Sequence, residues 1–103
     1  MIKIQINKTN NRYTSLIVSG HSNYGEHGKD IVCAGVSAIV TGGINALGIE
    51  DKNAISFKVD DGYFNLDVLN ITNDNIQLIM DVIVIQLKTI EESYKKHIKI
   101  YEE

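Results

Sequence analysis

The segment DIVCAGVSAIVTGGINALG, residues 30–48, is almost free of charge and predicts a central helix. Asp30 is a favourable N-cap, because its carboxylate can accept the free backbone N–H groups of the first turn. Apolar residues occur nearly all round the predicted helix, so we expect it to be buried. Gly42 and Gly43 are expected to weaken it midway, and Gly48 is the expected C-cap.

On both sides of this helix the sequence alternates apolar and polar residues, which is typical of half-buried strands. Two such runs precede the helix, over residues 2–7 and 13–20, with an Asn-Asn turn between them. Two more follow within residues 53–69, where an Asp-Gly pair is a strong hairpin signal. A hairpin is therefore predicted on each side of the helix.

A second helix is predicted after a cap-like cluster at residues 72–74, up to about residue 95, and a short last strand at 98–101. The order is ββαββα with a possible final β. We predict one α+β domain over residues 1–103, with a mainly antiparallel sheet packed against two helices. The stripe of the second helix consists of Ile76, Met80, Ile83, Leu87, Ile90 and Tyr94.

Composition restricts the function. The chain has 103 residues, a net charge of −3 and a pI near 5.5, and the absence of a basic face argues against direct binding of nucleic acid. The apolar stretches are expected to be too short or too interrupted to span a bilayer, and the N-terminus lacks the apolar region of a signal peptide, so no membrane association is expected. The single cysteine allows neither an internal disulfide nor a structural zinc site and fits a reducing cytoplasm.

That cysteine, Cys33, lies in the first turn of the predicted helix. Unpaired N–H groups and the positive end of the helix dipole favour a thiolate there, and the thiolate is the nucleophilic form. His21 ends the preceding strand, and the loop between the two residues must fold back for the helix to pack on the sheet. An imidazole beside Cys33 could accept its proton, and the N–H groups of residues 32–34 could form an oxyanion hole.

Structural explanations exist for the same residues. A free cysteine usually acts as a small buried hydrophobic residue. His21 at a strand end is often structural or solvent-facing, and Asp30 is more often a plain helix cap than a catalytic group. We expect His27 to be a solvated loop residue and His97, among lysines, to lie on the surface.

The combination of residues is more specific than its parts. Gly20-His21, a loop with Gly25 and Gly28, and then DIVCA with a following Val-Ser over residues 30–37 resemble the ribosomal-processing cysteine protease family Prp. His21 and Cys33 are separated by twelve positions, as the resemblance requires. One departure is Gly35, where many members of the family carry alanine.

The resemblance implies a cysteine endopeptidase that removes the N-terminal extension of a large-subunit ribosomal protein located near the peptidyl-transferase centre. By motif match, Cys33 is the nucleophile and His21 the general base. The resemblance further implies a bacterial homodimer, a mobile loop over the site, and no metal or other cofactor. The expected partner is the basic N-terminal peptide of the ribosomal protein, which suits an acidic surface.

Supporting roles are expected for residues around this pair. Asp30 is predicted to cap the helix or steady the loop, and Ser37, one turn beyond Cys33, to support the helix face near the site. Two other functions stay open at this point: a non-catalytic, ribosome-associated binding module, and another small thiol hydrolase. The loop residues expected to act as a lid include Ser22, Tyr24, Gly25 and Gly28.

Overall fold

The computed structural model of the protein describes residues 1–26 and 28–103. Its strands and helices follow the predicted order ββαββα, and the final strand is present. The strands are β1 (Ile2–Thr9), β2 (Arg12–Ser19), β3 (Ile55–Asp60), β4 (Tyr63–Val68) and β5 (Ile98–Glu102), and the helices are α1 (Ile31–Glu50) and α2 (Asp74–Ser93).

The strands form one sheet in the order β3-β4-β2-β1-β5. Both predicted hairpins are present, and they are joined by antiparallel pairing of β2 with β4. β5 pairs parallel with β1, because the chain crosses over through α2 before it returns to the sheet. The sheet is therefore mixed, although antiparallel pairs dominate as expected.

The core lies between one face of the sheet and the two helices, which also pack against each other. The prediction from the alternation in β1 is confirmed, since the apolar residues Ile2, Ile4 and Ile6 are all buried. Burying an aliphatic side chain of this size contributes about 1.5–3 kcal/mol relative to leaving it exposed. The hydrophobic effect thus stabilises β1 with these three side chains facing the core.

The middle of α1 differs from the prediction. The helix runs unbroken to Glu50, and Asp51 rather than Gly48 is its C-cap. A Cβ on Gly43 would lie 2.5 Å from Cδ1 of Ile83 in α2, so the glycine permits close approach of the two helices. This packing outweighs the loss of about 1 kcal/mol in helix propensity that a glycine brings.

By length and composition, α1 could cross a membrane, with a mean hydropathy of 1.7. The apolar stretch of α1 is therefore longer and more continuous than expected from the sequence. The core helix of a compact domain meets the same criterion, and Val32, Val36 and Val40 of α1 are buried in the core. Packing on the sheet explains the apolar composition.

Three parts of the chain meet where α1 begins: the end of β2, the first turn of α1 and the β3–β4 turn. The N–H of Gly20 donates to the carbonyl oxygen of Gly62 across 3.0 Å. This bond ties the residue before His21 to the β3–β4 turn. The residues from 21 to 30, described except for residue 27, then lead into α1.

Candidate active site

Cys33 lies in the first turn of α1 and is half-buried. The predicted cap is confirmed: Oδ1 of Asp30 accepts hydrogen bonds from the backbone N–H groups of Val32 at 2.9 Å and Cys33 at 3.1 Å. The carboxylate thus satisfies two of the N–H groups that a helix leaves unpaired at its start.

This cap argues against the predicted oxyanion hole. The N–H groups of Val32 and Cys33 already donate to the Asp30 carboxylate, and that of Ala34 donates to the Asp30 carbonyl oxygen at 3.0 Å. Donors engaged in this way are not free to bind a developing oxyanion. A negative carboxylate at the helix start also offsets part of the positive dipole beside Cys33.

The second carboxylate oxygen of Asp30 holds the loop. Oδ2 accepts a hydrogen bond from the hydroxyl of Ser22 and from the backbone N–H groups of Tyr24 at 3.0 Å and Gly25 at 3.2 Å. Burial alone would raise the pKa of Asp30, but the bonds from Ser22, Cys33, Gly25 and Tyr24 outweigh it and hold that pKa well below its usual range. Asp30 therefore both caps the helix and fixes the loop, the two roles that the sequence left open.

Ser22 connects the loop to the sulfur of Cys33. It is 2% exposed, its N–H donates to Cys33 Sγ at 3.3 Å, and its hydroxyl oxygen lies 3.5 Å from the same sulfur. Its carbonyl oxygen is bonded to Nδ1 of His97 at 2.9 Å. The sequence indicated Ser22 only as one loop residue among several, and no local pattern revealed these three contacts.

His21 is exposed and lines the same cleft as Cys33. The cleft has a volume of about 490 Å³. Its imidazole lies over the β3–β4 turn, where a Cβ on Gly62 would come within 2.8 Å of Nε2. Folding therefore brings the predicted histidine and cysteine to one cleft from different elements. Asp60, the last residue of β3, and Asp61 of the turn also line this cleft.

The other predicted residues divide between the cleft and its outer side. Ser37, Gly25 and Gly28 line the cleft, whereas the ring of Tyr24 makes edge contacts with Tyr94 and His97, at 5.3 and 5.2 Å between centroids. Among the residues that the structure describes, no three histidine, cysteine or acidic side chains come together to hold a metal ion.

The prediction for His97 was wrong, and that for His27 falls on a residue outside the described ones. His97 is half-buried against the loop rather than a surface residue. It lies 75 positions from its partner Ser22 in sequence, so no motif near either residue indicates the contact.

Substitution of Gly62 by alanine tests whether the position of the His21 ring over the β3–β4 turn matters. Gly62 has φ of +63°, where a side chain costs about 1–2 kcal/mol, and its Cβ would push against the imidazole. We expect any reaction of Cys33 that uses His21 to slow by about 10–100-fold, since small displacements of reacting groups have effects of that order. Gly42→Ala is the control, because a Cβ there meets nothing within 4 Å. An unchanged reaction rate in the folded Gly62→Ala protein would contradict this account of His21.

A cysteine at a helix start, bonded by a loop N–H and sharing a cleft with a histidine, is an arrangement suited to a thiol hydrolase. Comparison with known proteins gives the family: residues 1–99 match the family model for cysteine protease Prp. The chain belongs to this family and is a cysteine protease. The alternative of a non-catalytic binding module is therefore set aside.

Relatives and solved structures agree. The ribosomal processing cysteine protease Prp of Staphylococcus aureus is 37% identical over 91 residues, 86% of each chain, and that of Mycoplasma genitalium is 38% identical over 100% of this chain and 97% of its own. The crystal structure of the S. aureus protease with a covalently linked product peptide superposes with a TM-score of 0.93, at 36% identity and with both chains fully covered. Its complex with a substrate peptide gives 0.89 at 34% identity, again over both full chains.

Proposed function

We propose that this protein removes the N-terminal extension of a large-subunit ribosomal protein, of the kind located near the peptidyl-transferase centre, with Cys33 as nucleophile and His21 as general base. The observation that supports this most directly is the placement of both side chains on one cleft, with the Cys33 sulfur held by the Ser22 N–H. The S. aureus relative is described as an essential ribosomal processing protease and binds a substrate peptide.

The proposed reaction has two stages. The Cys33 thiolate attacks the scissile carbonyl carbon, a C–S bond forms, and the carbonyl oxygen takes the electron pair. When this intermediate collapses, the C–N bond breaks and protonated His21 gives its proton to the leaving amine. Water, deprotonated by His21, then attacks the thioester, so that the C–S bond breaks and the acid product leaves.

The charge of the cleft supports a basic peptide as substrate. Asp60 and Asp61 line it, and among the described residues that line it there is no lysine or arginine. Together with the net charge of −3, this favours approach of a positively charged chain. A ribosomal substrate and a single unpaired cysteine are both consistent with a cytoplasmic enzyme.

The experiment is cleavage of the ribosomal protein with its N-terminal extension, followed by mass spectrometry of the products. We expect one cut that releases the extension, and no cut in a protein that already lacks it. A small ester or amide serves as the comparison substrate. Turnover of this compound without any cleavage of the extended protein would favour the other thiol hydrolase over the proposed function.

We also propose that the protein is a homodimer. The outer side of α2 carries Leu78, Val82 and Ile85 at helical spacing, and they are 63%, 48% and 56% exposed. An uncharged apolar stripe of this kind is suited to burial against a second copy of the same helix. This surface lies on α2, apart from the residues that line the cleft.

Substitution of Val82 by glutamate should convert the dimer to a monomer, because a charge would be buried in the apolar contact. Sedimentation equilibrium of the wild type and the variant measures the change directly. The control is Ser56→Glu, which adds the same charge at an exposed position of β3, away from α2. A wild type that sediments as a monomer would overturn the proposal.

A further inference from the structure

We propose that His97 is a positioning residue for Cys33: it fixes Ser22 so that the Ser22 N–H points at the sulfur. Nδ1 of His97 lies 2.9 Å from the carbonyl oxygen of Ser22, and the N–H of the same serine lies 3.3 Å from Cys33 Sγ. The inference rests on the proposed function, in which Cys33 is the nucleophile.

His97 is well placed for this task because its own backbone is fixed. Its carbonyl oxygen accepts a hydrogen bond from the N–H of Ile2 at 2.9 Å, and its N–H donates to Tyr94 at 2.9 Å. The ring is also packed edge-on against Tyr24, with centroids 5.2 Å apart. The backbone of His97 is thus bonded to β1 and to Tyr94 at the end of α2, and its side chain fastens Ser22 near the start of the loop.

The chemical form of the contact is defined by its partner. A carbonyl oxygen only accepts hydrogen bonds, so Nδ1 of His97 carries the proton and donates. This donor is present in both the neutral and the protonated ring, and the proposal therefore involves no titration of His97. What matters is a donor at the position of Nδ1.

The Ser22 N–H is important because the usual donors at a helix start are engaged. Asp30 takes the N–H groups of Val32 and Cys33, and its charge opposes a second negative charge nearby. In the described residues, the N–H of Ser22 is the backbone donor that bonds Cys33 Sγ. Loss of the His97 contact removes this hold on the Ser22 backbone. The side chain keeps its bonds to the Asp30 carboxylate and the Tyr24 N–H, but the N–H of Ser22 is then free to turn away from the sulfur.

Three substitutions of His97 distinguish the effect of its hydrogen-bond donor from the effect of its ring packing. His97→Asn keeps a donor near the position of Nδ1, His97→Gln moves it one bond further out, and His97→Phe keeps a ring for Tyr24 without any donor. Lys96→Gln, at the exposed neighbouring position, is the matched control. For each variant we would measure the rate of Cys33 alkylation by iodoacetamide against pH, kcat and KM for peptide cleavage, and the free energy of unfolding.

We expect the Gln and Phe variants to be alkylated about 3- to 10-fold more slowly near neutral pH, with the reactive limb of the profile moved to higher pH. Their kcat should fall by a similar factor with little change in KM, whereas the Asn variant and Lys96→Gln should resemble the wild type. Wild-type profiles in the Gln and Phe variants, or a loss of stability with an unchanged profile, would overturn the proposal. If the Phe variant does not fold, the alkylation profiles and kcat of the Asn and Gln variants decide whether the donor position matters.

The result is separable from the proposed function. Wild type that is fully alkylated at Cys33 yet still cleaves peptide would refute Cys33 as nucleophile, whatever His97 does. Abolished cleavage on alkylation, together with indifference to all three His97 substitutions, would refute only the positioning role.

Discussion

Replacement of Cys33 by serine should reduce cleavage of the extended ribosomal protein by at least about 10³-fold, because a hydroxyl at this position is a far weaker nucleophile than a thiolate. His21→Ala should lose about 10²–10⁴-fold, the usual contribution of a positioned general base. Both variants should fold, since Cys33 is only half-buried and His21 is exposed. The measurement is initial cleavage rates at matched protein concentration, with circular dichroism as the check on folding.

The two residues are expected to act as a unit. The double variant should then be little worse than the more damaged single variant, since groups that perform one step together are strongly non-additive. Thr41→Ala is the control, because Thr41 is exposed on α1 about two turns beyond Cys33 and does not line the cleft. Additive losses for Cys33 and His21, or a His21→Ala protein with full activity, would contradict the proposed dyad.

Alkylation tests the same pair without a substrate. If His21 holds the thiolate, iodoacetamide should modify the wild type well below the pH at which an ordinary thiol reacts, and His21→Ala should lose this reactivity. If both proteins react like an ordinary thiol while the wild type still cleaves peptide, the pair forms only when substrate binds, since catalytic contacts often tighten in the complex.

Much of this arrangement followed from local sequence rules. The alternation of Ile2, Ile4 and Ile6 predicted β1, and Asp30 marked the start of α1 to the residue. Each of these signals depends on neighbours within a few positions, so a single sequence is enough to detect it.

The features that were missed depend on distant partners. Gly43 is explained by Ile83 on another helix, and the role of His97 by Ser22 at the other end of the chain. The parallel position of β5 likewise depends on which sheet edge is free when the chain returns. Tertiary packing fixed all three, and local propensity carries no information about it.

Two local rules conflict at the expected oxyanion hole. Unpaired N–H groups at a helix start were correctly expected, and an aspartate cap was correctly expected, but the two expectations compete for the same donors. The structure resolves the competition in favour of the cap, since Oδ1 of Asp30 takes the N–H groups of Val32 and Cys33. The N–H groups of the helix start near the sulfur are thus bonded to Asp30, and the same carboxylate holds the loop firmly.

Asp30→Asn should therefore be the most damaging substitution for stability. The asparagine oxygen can still accept from Val32 and Cys33, but its NH₂ group would face the hydroxyl of Ser22 and the N–H groups of Tyr24 and Gly25. An unsatisfied buried donor costs about 1–3 kcal/mol, so we expect a loss of about 3–5 kcal/mol in the free energy of unfolding at pH 7. Activity should fall as well, because Ser22 would no longer be held beside Cys33.

The pH dependence of this loss identifies the charge as its source. The pKa of Asp30 is lowered by folding, so its contribution is fully present above the unfolded value of about 3.9 and decreases as the pH falls below it, by up to about 1.4 kcal/mol per pH unit. The stability difference between wild type and Asp30→Asn should thus narrow below about pH 4. Urea unfolding of both proteins at pH 7, 4 and 3 measures this stability difference.

The control is Asp74→Asn, in the first turn of α2 and exposed beside Arg12, which should change stability by less than about 1 kcal/mol. A difference for Asp30→Asn that stays constant with pH would mean that shape, rather than the ionised carboxylate, holds the loop on the helix.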